Sequence, residues 1–181
     1  MEEFIGMLLK ALKFAAAKHQ GQRRKGEAAI PYVNHLIDVT CLLWEIGQIR
    51  DIETLAAALL HDTLEDTDTS PEELEREFGA VVRALVEEVT DDKRLPKDVR
   101  KRLQIQRAAH ASRSARHIKL ADKISNVRDI TVAPPEDWPL DRRKDYVRWA
   151  EDVIQEVRGT NAALERHFDE IARQARAAFE S

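Results

Sequence analysis

Apolar side chains recur every three to four residues along this chain, and no stretch alternates apolar with polar positions as a half-buried strand would. The spacing predicts helices at about Glu3–His19, from Pro31 to Gly47, and at about Asp51–Thr63. Pro31 in a first turn and Gly47 at a close follow the usual placement of those residues. The stretch "SPEELEREFG" carries explicit signals: Ser70 as N-cap, Pro71 first, Glu73 completing a capping box and Gly79 as terminator. Further helices are expected at about Ala80–Val89, Asp98–His110, Ala115–Ile130, Asp141–Val157 and Asn161–Phe179. "QGQRRKGEAAI" reads as a loop and "VAPPEDWP" as the clearest linker. Residues 1–181 read as one all-α domain, with a motif-bearing core at about 14–161 and a closing helix at 161–180.

One helix breaks the ordinary pattern. "LAAALLHDTLEDT", Leu55 to Thr67, runs from an alanine- and leucine-rich stretch into His61, Asp62, Glu65 and Asp66. Carboxylates at a helix C-terminus oppose the macrodipole, so a positive group should compensate them.

Composition narrows the chemistry. A length of 181 residues suits one domain with a substantial core. Cys41 is the only cysteine, which excludes an intramolecular disulfide and a cysteine-based metal site, and a reducing, cytoplasmic setting is expected. The start lacks a basic region and cleavage site, and no apolar run is long enough for a membrane span, so no membrane partner is expected. A net charge of −4 argues against nucleic acid as a partner. Nothing in the pattern assigns an oligomeric state.

Two further segments offer partners for the acidic helix end. His35 lies in "PYVNHLIDV", and Asp122 lies among core-type residues in "HIKLADKISNVRDI". A carboxylate in such company needs a partner, and Lys119 and Lys123 are the simple alternatives to an ion. Singly these residues are commonplace. Together, two imidazoles and two carboxylates suit a divalent ion such as manganese, iron or zinc. "QRRKG" concentrates Arg23, Arg24 and Lys25 on a loop, where guanidinium groups can clamp phosphate or stack on a base. Lys97 at a helix start opposes the dipole, which favours a phosphate-facing role. Trp44, Trp138 and Trp149 read as core or linker packing.

The order His35, His61-Asp62, Asp122 resembles the HD-domain metal phosphohydrolases. "HQGQRRKG…PYVNH", "ALLHDTLEDTDTS", "FGAVVRALVEEVTDDK" and "KLADKISNVRDI" are similar to the RelA/SpoT hydrolase domain, over roughly Phe14 to Asn161. They resemble most closely the stand-alone small alarmone hydrolases, the group of the metazoan SpoT homologue. Leu36 departs from the pattern, since that family usually has proline after the histidine. The resemblance implies a single HD-superfamily helical domain, a hydrolase without a synthetase domain. It implies one ion, usually manganese, held by His35, His61, Asp62 and Asp122, with Glu65 and Asp66 as catalytic acids. Helical spacing agrees: Cβ atoms four residues apart lie about 5–6 Å from each other, so Glu65 is better placed to hold the attacking water than to ligate the ion. Arg24 and Lys25 match contacts to guanine and phosphate, Asn126 matches a residue that helps hold the nucleotide, and Lys97, Arg142 and Tyr146 are carried over as substrate contacts. The implied activity removes the 3′-pyrophosphate of guanosine 3′-diphosphate 5′-(di)phosphate, giving GDP or GTP and pyrophosphate. Removal of the 2′-phosphate of NADPH on the same site, and nucleotide sensing without turnover, are the alternatives.

Overall fold

The computed structural model describes residues 2–26 and 30–180; positions 27–29 of the predicted loop lie outside the described residues. Among the described residues the chain forms ten helices. They are α1 (Glu2–Lys18), α2 (Val33–Glu45), α3 (Ile52–Leu60), α4 (Thr63–Asp66), α5 (Pro71–Phe78), α6 (Ala80–Val89), α7 (Lys97–Ala108), α8 (Arg113–Val132), α9 (Leu140–Val157) and α10 (Ala162–Ala178). None of them is long and apolar enough to cross a membrane.

The centre follows from composition. α3 is apolar on every side, and a helix of that kind belongs in a core. Leu55 to Leu60 are all buried there, with α1, α2, α6 and α8 packed around them. The alanines at Ala56, Ala57 and Ala58 let those neighbours approach closely. α8 is the second central element, packed against α2, α6, α9 and α10, and it buries Lys119, Lys123 and Ser125 beside Leu120, Ile124 and Val127. Side-chain caps fix where helices begin: Asp51 accepts from the Thr54 amide at 2.9 Å, and Asn161 accepts from Ala163 and Leu164 at 3.1 Å.

Several predicted elements are corrected. The helix expected at Asp51–Thr63 ends at Leu60, and α4 starts anew at Thr63. Between them Asp62 sits at φ −99°, ψ −1°, in the bridge region between the main wells. The Thr63 hydroxyl donates to the Leu60 carbonyl at 2.6 Å, offering the last turn of α3 a partner outside the helical ladder. Glu65 and Asp66 therefore sit on α4 and not on the end of α3, beside which only Asp62 remains. Pro31 is not in the first turn of α2 either. It faces Arg23 in an isolated bridge, with Tyr32 N–H donating to Gln22 O at 3.0 Å and Arg24 N–H to Ile30 O at 2.9 Å. This pairing straps the basic loop to the start of α2. Gly47 does close that helix, because a Cβ there would lie 2.8 Å from Leu43 O and 3.0 Å from Leu164. Ser70 caps α5 as expected, accepting from the Glu73 amide at 3.2 Å, but the Glu73 carboxylate pairs with Lys18 at 3.0 Å instead of completing the box.

Candidate active site

The break between α3 and α4 brings His61 and Asp62 to the same point as His35 from α2 and Asp122 from α8. His61 Nδ1 donates to Ala58 O at 2.8 Å; a carbonyl only accepts, so Nδ1 carries a proton. Nε2 is the nitrogen turned toward the carboxylates, where, against burial, Asp62 and Asp122 raise the His61 pKa well above its ordinary value. His35 Nδ1 meets Ser125 Oγ at 3.1 Å, which orients that ring in the same way. Both Nε2 atoms face carboxylates. His35 Nε2 is 3.2 Å from Asp122 Oδ1 and 3.9 Å from Asp62 Oδ2. His61 Nε2 is 3.1 Å from Asp62 Oδ2 and 3.8 Å from Asp122 Oδ1. One ligand atom each from His35, His61 and Asp62 falls within 4.8 Å of the others.

Asp62 Oδ2 and Asp122 Oδ1, the oxygens that face the imidazoles, also accept hydrogen bonds from neighbours. Tyr32 donates to Asp62 Oδ2 at 2.6 Å, and Asp122 accepts from Lys123 at 2.8 Å and from Asn126 at 2.6 Å. His61 Nε2 is buried without a hydrogen-bond partner among the described residues. A nitrogen and a carboxylate oxygen this close need a proton or a cation between them. Burial works against the Asp122 carboxylate, but Lys123 and the two histidines hold its pKa well below the ordinary value. Burial likewise opposes the charge of Asp62, and His61 outweighs it, again lowering the pKa. Two imidazole nitrogens and two ionised carboxylates around one point fit a divalent cation.

Glu65 and Asp66 flank this cluster on α4. Glu65 Oε2 accepts from the Asp91 amide at 3.1 Å, and Oε1 lies 3.5 Å from Arg100 Nη1. Burial, with the charges of Asp62, Asp91 and Asp66 adding to it, raises the Glu65 pKa to about 7, against the pull of the Asp91 amide. Asp66 pairs with Lys93, and its carbonyl accepts from Gln22 at 2.8 Å.

A cavity of about 660 Å³ opens beside these groups, lined by Arg24, Lys25, Tyr32, Glu65, Asp66 and Asn126 among others. A second compartment of about 250 Å³ adjoins it, holding Lys97, Lys101, Arg142 and Trp149, and sharing Lys25, Glu65, Arg100, Trp138 and Tyr146 with the first. Arg142 Cζ lies 4.3 Å from the centre of the Trp138 ring, Lys101 Nζ 4.8 Å from that of Trp149. Burial and the neighbouring charges of Arg142, Lys25 and Arg100 lower the Lys97 pKa. Every predicted site residue thus lies in the ligand cluster or on a wall of the two compartments. Arg24 differs from the free clamp expected of it: its guanidinium is tied to Asn126 at 2.7 Å and to Asp129 at 2.8 Å.

Sequence reasoning missed some residues. Trp138 and Trp149 are walls of the second compartment rather than only packing. Trp149 falls one turn after Tyr146 and Lys101 one turn after Lys97, and that spacing was the available signal. Tyr32 and Ser125, which bond Asp62 and His35, belong to the quoted motifs without a role there, whereas Lys123 pairs with Asp122 at 2.8 Å, the alternative to an ion that the sequence offers.

Residues 11–153 match the family model for the HD domain. The chain belongs to the HD-domain family. It is 51% identical over 167 residues to the human guanosine-3′,5′-bis(diphosphate) 3′-pyrophosphohydrolase MESH1, covering 92% of this chain and 93% of that one. The Drosophila melanogaster MESH1 is 52% identical over 166 residues, with 92% and 93% covered. The guanosine-3′,5′-bis(diphosphate) 3′-pyrophosphohydrolase of Aquifex aeolicus is 39% identical over 127 residues, 68% of this chain but 18% of that longer one. A solved structure of a metazoan SpoT orthologue that hydrolyses ppGpp superposes with a TM-score of 0.90 at 51% identity, covering 93% of this chain and 94% of that one. An HD domain implies a divalent metal, and the His/Asp cluster described above is where this chain has the donors for one.

Proposed function

We propose that this HD-domain chain is a manganese-dependent hydrolase that removes the 3′-pyrophosphate of guanosine 3′-diphosphate 5′-(di)phosphate. The activity is that of relatives about half identical to it over nine-tenths of both chains. The observation that carries the site assignment is the convergence of the buried His35 and His61 Nε2 atoms on Asp62 and Asp122 beside a basic cavity, with His61 Nε2 making no directed hydrogen bond among the described residues. His35, His61, Asp62 and Asp122 would hold the cation. When bound, it polarises phosphoryl oxygen and lowers the pKa of water. Manganese suits the mixed set, because magnesium prefers oxygen donors and accepts two imidazoles poorly.

The chain's own residues supply the rest. Glu65, with its pKa raised toward neutrality, is poised to accept a proton from the attacking water, and Asp66 helps to orient that water. The water oxygen bonds to the phosphorus on ribose O3′. The bond from that phosphorus to O3′ breaks, and O3′ leaves with the electron pair and takes up a proton. Lys25, Lys97 and Arg142 bind phosphate, while Arg24, Asn126 and Tyr146 hold the nucleoside. Two compartments suit a nucleotide phosphorylated at both ends.

A second reading rests on Trp138, Tyr146 and Trp149, since three aromatic rings in one compartment also suit a second base. On that reading the ribose 2′-phosphate of NADPH takes the place of the 3′-diphosphate. Purified protein, stripped by a chelator and resupplied with manganese, magnesium, zinc or iron, is offered the alarmone and NADPH, and products are resolved by chromatography. The account expects no turnover without metal and the best recovery with manganese. Equal recovery with magnesium at the same concentration contradicts the His35/His61 assignment. Release of phosphate from NADPH alone favours the second reading.

A further inference from the structure

Arg100 is held differently from the other arginines of the cavity. It points from α7, one turn after Lys97, and lines both compartments. Arg24 is bound at Nε and Nη2 by Asp129 and Asn126, and Arg142 sits over the Trp138 ring with Nη1 3.8 Å from Asp137. Arg100 Nε is buried with no hydrogen-bond partner among the described residues, and Nη1 stops 3.5 Å short of Glu65 Oε1. A charged N–H to carboxylate bond closes to about 2.7–2.9 Å, so this ion pair is loose and makes no hydrogen bond. A guanidinium has five donors, and leaving a buried one unmade is costly. The group is poised for another oxyanion, and the group beside it is the one assigned to the attacking water.

We propose that Arg100 is a further catalytic residue, donating hydrogen bonds to the non-bridging oxygens of the phosphorus under attack and remaining on them in the pyrophosphate product. The inference rests on the 3′-pyrophosphohydrolase reading above. As water oxygen bonds to that phosphorus and the bond to O3′ breaks, its fork opposes the negative charge spread over those oxygens. Lys97, Lys101 and Arg142 rest on the tryptophan rings and bind the other phosphorylated end.

The test compares Arg100→Gln and Arg100→Lys with wild type in kcat, KM, metal content, and inhibition by pyrophosphate and by GDP measured separately. For Arg100→Gln, kcat should fall about 10²–10³-fold, the scale of removing one preorganised donor. KM should change only a few-fold, with metal content and GDP inhibition unchanged and pyrophosphate inhibition at least about ten-fold weaker, as lost transition-state contacts require. Lysine keeps charge without the fork and should recover part of kcat. An unchanged kcat, equal weakening toward GDP and pyrophosphate, or loss of metal would overturn the proposal. If wild type does not turn over the alarmone, the activity reading fails by itself. Calorimetric binding of pyrophosphate to the manganese-loaded proteins still decides for or against Arg100. Should the glutamine variant not fold, Arg100→Lys carries the same comparison, because weakened pyrophosphate with unchanged GDP is still required.

Discussion

Beside one end of the cavity two buried imidazoles and two partly buried carboxylates converge on a point, held by hydrogen bonds to Ser125, Ala58 O, Tyr32, Lys123 and Asn126. At the other end, cations rest on rings: Arg142 on Trp138, Lys101 on Trp149. The first arrangement orients each donor atom through a named hydrogen bond and suits chemistry. The second leaves charge with loose acid partners, Arg142 Nη1 lying 3.8 Å from the exposed Asp137, so that phosphate can take it with little competition. Cation–π contacts of this kind contribute about 0.5–1 kcal/mol where exposed, which a charge-assisted hydrogen bond to phosphate readily replaces. Substitutions at the two ends should therefore fail in different kinetic constants.

The largest effect is expected at the braced end. Glu65→Gln should lose about 10²–10⁴ in kcat, the usual range for a general base, while keeping fold and manganese. Asp62→Asn should instead lose manganese, with partial rescue by excess ion. Elemental analysis beside kcat separates the two, and a Glu65→Gln protein without metal would show that the roles are misassigned. Next, at the cation end, Arg142→Ala should raise KM for the alarmone about ten-fold with kcat nearly unchanged. A fall in kcat with constant KM would erase the distinction between the ends. Arg24→Ala should raise KM too, but less cleanly, because it also frees Asn126, a neighbour of Asp122.

Helix spacing and the ligand motifs were legible because both are local. His35, His61-Asp62 and Asp122 sit in short stretches whose residue types alone limit the chemistry. The break after Leu60 was not legible, since His61, Asp62 and Thr63 include no Gly or Pro to stop a helix, and the Thr63 hydroxyl bonded to the Leu60 carbonyl is seen only in the fold. Trp138 and Trp149 were read as packing because aromatics at helical spacing usually are, and their role appears only when α7 meets α9. Arg100 and Lys101 lie on a helix with one buried residue, Ala108, so its pattern gave no face to read.

Smaller effects concern pH. Glu65 serves as a base only when deprotonated, so kcat/KM should rise with pH through an acid limb no higher than about 7, since a bound cation lowers that value further. The limb should vanish in Glu65→Gln; its persistence would assign the titration elsewhere. The smallest effect is on stability. Burial, with the charge of Lys123, lowers the pKa of Lys119 to about 8 from 10.5. The folded state therefore disfavours its proton, and stability should rise as pH goes from about 8 to 10.5, where only the unfolded chain holds that proton. Lys119→Met should remove that slope and raise Tm at pH 7, by about 2–4 °C for each kcal/mol relieved. Denaturant titrations of both proteins at two pH values read it, and equal slopes would refute it.

Hydrolysis in ¹⁸O-labelled water tests most directly whether the braced end attacks the phosphorus on ribose O3′. With manganese and the alarmone, mass spectrometry should find one ¹⁸O in pyrophosphate and none in GDP or GTP. Labelled orthophosphate, or label retained by the nucleoside, would contradict the account.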